Sequence, residues 1–218
     1  MRVVIAGGHG KVALLLERLL AGRGDQGVGL IRNPAQAADV QLAGADAVVC
    51  DLETASADDV VALLSGADAV VFAAGAGAGS GVPRKDSVDR AASVLMADAA
   101  ERAGVARFVQ ISSMGAGQPP QPAAGEVWAA YITAKTAAED DLRRRDLDWT
   151  ILRPGHLTDA PATGKVQLGV PPVPAGSIPR ADVAAVIAAL LDEPGAAHQT
   201  LELVGGDSPI DAAVASLS

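Results

Sequence analysis

Short apolar runs rich in valine and isoleucine alternate with stretches whose apolar residues recur at helical spacing, along the whole chain. Residues 2–6 form the first run, a predicted strand. Residues 11–21 carry Val12, Leu15, Leu16 and Leu19 on one helical face. Strands are then predicted over 28–31, 47–50 and 69–73. A weak helix over 34–42 and a helix from Ser56 to about Gly66 lie between them. Ser56 with Asp59 three residues on resembles a capping box. Residues 75–83, rich in Gly, Ala and Ser, read as a loop. A long helix over 87–103 follows, stopped by Gly104. Further on come a strand over 108–111, a proline-rich loop over 115–125, a helix over 127–145 and a strand over 149–152. The stretch 154–179 is dense in Pro and Gly, with one short strand expected at 166–168. A helix over 180–191, a strand over 200–204 and a short helix from 208 complete the chain.

This βαβ alternation predicts an α/β fold: a single Rossmann-type, doubly wound parallel sheet with helices on both faces, joined by right-handed crossovers. One domain over 1–218 is expected, with a small substrate-covering segment at about 154–180. Ligands of such sheets bind beyond the carboxyl ends of the strands.

Composition narrows the picture. Half of the 218 residues are hydrophobic and only 2% are aromatic, so the core must be built from Ala, Val, Leu and Ile, as suits a buried parallel sheet. The formal charge of -9 argues against a nucleic-acid partner, because no basic stripe exists to neutralise phosphates. Arg143, Arg144 and Arg145 are flanked by acidic residues and read as a solvated helix face. The one cysteine, Cys50, ends an apolar run and reads as a buried small residue. No apolar run is long enough to span a membrane. A cytoplasmic protein, monomeric or homodimeric, with a small-molecule substrate is expected. Three histidines with no carboxylate spacing predict no metal site.

The chemistry begins at Gly7-Gly8-His9-Gly10-Lys11-Val12-Ala13, between the first strand and the first helix. Gly7 permits a tight turn, Gly10 lets backbone approach a pyrophosphate, and Ala13 is small enough for close packing. Free N–H groups at the helix start, at Lys11 and Val12, suit phosphate. His9 either touches a phosphate or faces solvent. After the second strand stands Arg32, where a cofactor lacking the 2′-phosphate usually meets an acidic residue. A guanidinium there suits a 2′-phosphate, with Lys11 near enough to help, so NADP is expected over NAD. Asp51 and Leu52 after the third strand, and Ala73, Ala74 and Gly75 after the fourth, flank the expected adenine and ribose sites.

Tyr131 and Lys135 lie four apart on a predicted helix and share a face. An ammonium beside a phenol would let it act as general acid or base; a chance surface pair is the alternative. Ser112 and Ser113 end the fifth strand, where a hydroxyl would hold a substrate carbonyl oxygen or simply form a turn. Trp128 and Trp149 read as packing residues. Arg180 and Asp182 read as capping and orienting a helix.

Taken together, Gly7-x-x-Gly10-x-x-Ala13, Asp51-Leu52, residues 108–114 (FVQISSM), Tyr131-x-x-x-Lys135, Arg153-Pro154-Gly155 and residues 177–184 (SIPRADVA) resemble the short-chain dehydrogenase/reductase family. The likeness is to its atypical, extended-like group, which includes sugar epimerase-like proteins and the biliverdin/flavin reductase type. It implies NAD(P) binding, Ser113, Tyr131 and Lys135 as catalytic residues, Ser112 beside the cofactor, and Pro154, Gly155, His156 and Leu157 lining the nicotinamide. Ala13 replaces the last glycine of the motif. Asp89 falls where the family's catalytic asparagine is usual. The expected function is an NADP-dependent oxidoreductase or epimerase-like enzyme acting on a small carbonyl or carbinol. The alternatives are an NADP-binding sensor without turnover, or a flavin or quinone reductase without acid–base residues.

Overall fold

A computed structural model describes residues 1–77, 79–120, 123 and 125–217. Residues 78, 121, 122 and 124, within the two expected loops, and residue 218, in the expected last helix, lie outside the described residues.

The first six strands are β1 (Arg2–Ala6), β2 (Gln26–Ile31), β3 (Asp46–Val49), β4 (Ala69–Phe72), β5 (Arg107–Ile111) and β6 (Asp148–Pro154). The C-terminal part adds β7 (His156–Thr158), β8 (Lys165–Gly169), β9 (Ser177–Pro179), β10 (Gln199–Gly205) and β11 (Ser208–Pro209). The main sheet runs β11-β8-β10-β6-β5-β4-β1-β2-β3. Strands β3 through β10 of that order pair in parallel, while β8 is antiparallel to both β10 and β11. The expected parallel sheet is therefore present, with an antiparallel edge.

Strand β4, and β1 after Arg2, are apolar without alternation because both faces are covered. Val3 and Ile5 join one core with Leu16, Val183 and Ile187, while Val4 and Ala6 join the other with Phe72, Met96 and Phe108. Helices α1 (Lys11–Gly22), α7 (Arg180–Leu190) and α8 (Ile210–Ala215) cover the first face; α3 (Ala57–Leu64) and α5 (Ala92–Ala103) cover the second. Helix α2 (Ala37–Leu42) packs beside β3 through Val40. At α3 the capping box is complete: Ser56 Oγ accepts from Asp59 N, and the Asp59 carboxylate accepts from Ser56 N. Gly104 ends α5 in the left-handed conformation, with φ 72°.

Some expectations need correction. The long helix starts earlier than residue 87. A helical turn, α4 (Val82–Arg84), leads into a π-helical segment, Lys85–Ala91, which then continues as α5. Helix α6 spans Glu126–Leu142, so it ends before the three arginines. Only Arg144 of these is well exposed. Arg143 bonds Glu139 and Thr200, and Arg145 bonds Asp141 and Glu101. Arg143 and Arg145 pin the end of α6, and of the three only Arg144 is solvated as expected. The Pro/Gly-rich stretch holds three short strands instead of one; β7 and β9 pair in parallel as a separate two-stranded sheet. Three-residue strands carry no periodicity, so this long-range pairing left no local trace.

Candidate active site and cofactor cleft

Strand β1 has β2 on one side and β4 on the other, so the crevice of this sheet opens at their carboxyl ends. The turn from β1 to α1 lies there. Gly7 has φ 78°, and a Cβ on it would stand 2.7 Å from Ala74 Cα. The turn packs directly on Ala74, just past the end of β4, which is why residue 7 must be glycine. Gly8 is as tight: its Cβ would meet Gly29 Cα at 2.5 Å. Gly10 N donates to Gly7 O at 2.8 Å and closes the turn. The N–H groups of Lys11, Val12 and Ala13 open α1 and have no acceptor inside the helix. Such a cradle, bare of side chains and lined with N–H donors, fits a pyrophosphate.

A cavity of about 260 Å³ lies over this turn. Among the expected cofactor residues Gly7, His9, Gly10, Arg32, Asp51, Leu52, Ala73, Ala74 and Gly75 line it. His9 is half-buried and bonds Asp39 at 2.7 Å. Cys50 also lines the wall, half-buried instead of fully buried as expected; burial, then Asp51 and Asp59, push its thiol upward. Arg32 is 55% exposed and reaches Glu53 at 3.6 Å. Glu53 also accepts from Arg84 at 2.8 Å and from Ser87 at 2.6 Å, and these bonds hold its carboxyl below the ordinary range. Sequence reading missed Glu53 and Arg84. Glu53 is adjacent to the Asp51-Leu52 pair, but Arg84 lies 31 residues further on and carries no local signal.

Lys11 and Val12 do not line this cavity. Lys11 donates to Asp159 at 2.6 Å, turned away from Arg32, so the expected help for a 2′-phosphate finds no support in its position. Asp159 also accepts from Arg180; its carboxyl is lowered by Lys11 and Arg180. Asp182 is buried and caps the 163–164 turn rather than its own helix, accepting from Thr163 N, Thr163 Oγ1 and Gly164 N.

The serine, tyrosine and lysine stand further along the strand ends. Lys135 is buried; its Nζ donates to Ile111 O at 3.1 Å and lies 3.3 Å from Asp89 Oδ1. Asp89 Oδ2 accepts from Ala76 N on the loop after β4. The Lys135 ammonium is 5.8 Å from the centroid of the half-buried Tyr131 ring. Ser112 is buried and donates to Glu139 Oε1 at 2.5 Å, so its hydroxyl is committed to the structure. Ser113 is half-buried and donates to Met114 O. Glu139 is fully buried and also accepts from Arg153 and Arg143. That network joins the ends of β5 and β6 to the helix bearing Tyr131 and Lys135.

Residues 154–157 sit beside this group. Pro154 O accepts from Met114 N, Gly155 N donates to Leu203 O, and His156 N donates to Gly176 O. Leu157 belongs to β7 and pairs with Ile178. The four do not line the cavity over the glycine turn. Trp149 is a packing residue as expected, edge-on to His198. Trp128 is not: it is 44% exposed, with its ring 5.4 Å from Tyr131.

Comparison with known proteins agrees with this geometry. A family model described as NAD(P)H-binding matches residues 7–194. The chain is 33% identical to the uncharacterized sugar epimerase YhfK of Bacillus subtilis over all of both chains. A solved structure from Bacillus halodurans, described as a candidate NAD-dependent epimerase/dehydratase, is 36% identical, covers 99% of each chain and superposes with a TM-score of 0.90. The anaerobillin reductase ChuY of Escherichia coli O157:H7 is 28% identical, with 95% of this chain and 98% of that chain covered and a TM-score of 0.81. With a glycine cradle, a nucleotide-side cavity and relatives of full length, this chain belongs to the NAD(P)H-binding Rossmann family, in its epimerase- and reductase-like group.

Proposed function

We propose that the protein is an NADPH-dependent oxidoreductase or epimerase-like enzyme acting on a small carbonyl or carbinol compound. The observation that carries this reading is the buried Lys135 ammonium, fixed by Asp89 and Ile111 O beside the ring of Tyr131. In it the glycine cradle holds the pyrophosphate and Arg32 takes the 2′-phosphate. Two guanidinium groups, Arg32 and Arg84, share one carboxylate, Glu53; Arg84 holds it at 2.8 Å while Arg32 stands off at 3.6 Å and is 55% exposed, which leaves the Arg32 guanidinium available to a phosphate. When bound, a reduced nicotinamide supplies the hydride. Tyr131 gives the substrate oxygen its proton, Lys135 orients the phenol, and Ser113 turns its hydroxyl from Met114 O to the substrate oxygen. Ser112 acts through Glu139 as a positioning residue.

The chain works here as one NAD(P)-binding unit with 154–180 as a cover. Asp159 ties that segment to Lys11 at the cradle and to Arg180. The name of ChuY, a reductase, favours reduction over epimerisation.

The test is direct. NADPH and NADH are titrated onto the purified protein, and NADPH oxidation is followed against a carbonyl and quinone panel. NADPH is expected to bind at least about tenfold tighter than NADH, with Arg32→Ala narrowing the gap. Tyr131→Phe is expected to abolish carbonyl turnover. Tighter NADH binding overturns the NADP preference; turnover surviving Tyr131→Phe points to a reductase without acid–base residues. The Asp89–Lys135 ion pair favours one second reading, a sensor in which Lys135 is purely structural. NADPH binding without turnover of any panel member selects it.

A further inference from the structure

Lys85 opens the π-helical segment and is 8% exposed. A π segment carries an extra residue per turn, which redirects side chains, and such segments recur at functional sites. Here residues four apart on the π segment meet residues four apart on α6: Lys85 faces Tyr131, and Asp89 faces Lys135. Two buried lysines, Lys85 and Lys135, therefore face the Tyr131 ring, and the π segment that carries Lys85 also carries the buried carboxylate of Asp89. That carboxylate is engaged with Lys135 at 3.3 Å. Lys85 Nζ has Gly77 O at 3.1 Å and the Tyr131 ring centroid at 5.2 Å. Among the described residues it makes no ion pair.

A buried ammonium is costly unless an anion accompanies it. A backbone carbonyl and a ring face offset part of that cost and leave the charge itself uncompensated. The location matters as much as the charge. Lys85 and Lys135 flank the same ring, the one proposed to deliver a proton. Trp128 presents a half-exposed indole on the first turn of α6, 5.4 Å from that ring, and Val127 beside it is 47% exposed.

We propose that Lys85 is the anion-binding residue of the substrate half of the cleft. The substrate is then a carbonyl compound that carries a carboxylate near its reacting carbon, on an apolar or aromatic body that lies against Trp128. This assignment rests on Tyr131 being the proton donor and adds the substrate's charge to that reading. The ammonium pairs with the carboxylate while the carbonyl oxygen meets Tyr131, so one end of the substrate is anchored and the other is presented.

Matched acids and esters test it: phenylglyoxylate and phenylpyruvate against their methyl esters. NADPH-dependent reduction is measured for the wild type, Lys85→Met and Lys85→Arg. Calorimetry follows the acids binding to protein with and without NADP. The expected wild-type ratio of acid to ester kcat/KM is at least about tenfold. That ratio collapses toward one in Lys85→Met and is largely kept in Lys85→Arg. An unchanged NADPH Kd in Lys85→Met shows that the variant is folded. A wild-type ratio near one, a ratio unmoved by Lys85→Met, or acids that fail to bind the wild type overturns the assignment. Failure of NADPH to bind counts against the proposed cofactor instead, and the acid titrations on the protein alone then decide Lys85.

Discussion

Asp89 Oδ1 stands 3.3 Å from Lys135 Nζ, both almost fully buried, so the helical segment after β4 carries the counter-charge for the lysine of α6. The other oxygen of Asp89 accepts from Ala76 N. An asparagine in its place would keep that acceptor and lose the charge.

Asp89→Ala leaves the Lys135 ammonium buried without its carboxylate partner. Removing one partner of a buried pair costs about 3–5 kcal/mol, and Asp89→Asn is expected to cost less. Urea unfolding midpoints measure both. A Lys135→Met change made on top of Asp89→Ala is expected to recover part of the loss; midpoints indistinguishable from wild type would show that the pair carries no weight.

Glu17 gives a pH dependence. It is fully buried on α1, its two oxygens make no hydrogen bond among the described residues, and it lies under Gly8 and Gly29. Burial pushes its carboxyl up to about 8, against an ordinary 4.5, with Arg18 opposing weakly. Between those values the unfolded chain loses a proton that the folded chain keeps. Stability contributed by the neutral form is complete below about pH 4.5 and falls as pH rises to about 8, by at most about 1.4 kcal/mol per pH unit. Glu17→Gln is expected to flatten that slope. Thermal melts at several pH values compare the two proteins, and parallel slopes in this window would refute the assignment.

Glu139 accepts from Ser112, Arg153 and Arg143 with no exposure to water. Glu139→Ala strands the buried Arg153 guanidinium and releases α6 from β5 and β6. A loss of about 3–5 kcal/mol is expected, with a smaller loss for Glu139→Gln, which keeps an acceptor. Denaturant titration reads it, and a cost below about 1 kcal/mol would contradict the role given to this carboxylate.

Gly7→Ala places a methyl 2.7 Å from Ala74 Cα at a φ of 78°. Strain of about 1–3 kcal/mol follows from the backbone alone, and the turn must shift away from β4. NADPH affinity is expected to fall with it. An alanine variant that melts and binds NADPH like the wild type would mean that the turn is not the cradle.

The alternation of apolar runs determined strands β1 to β6, the doubly wound class and the cofactor end of the cleft, because burial on both faces writes itself into β1 and β4 residue by residue. Local chemistry was equally legible: Gly7 at positive φ, the Ser56–Asp59 capping box and Gly104 each act within a few residues of themselves. Only the tertiary structure decided what crosses between elements. Arg84 meets Glu53 across 31 residues, and Arg153 meets Glu139 between a strand and a helix. Lys85 reaches Tyr131 because the π segment turns it toward α6. A charge's partner depends on where two backbones approach, and no periodicity along one of them records that. For the same reason Arg143 and Arg145 after α6 look solvated in one dimension and are pinned in three.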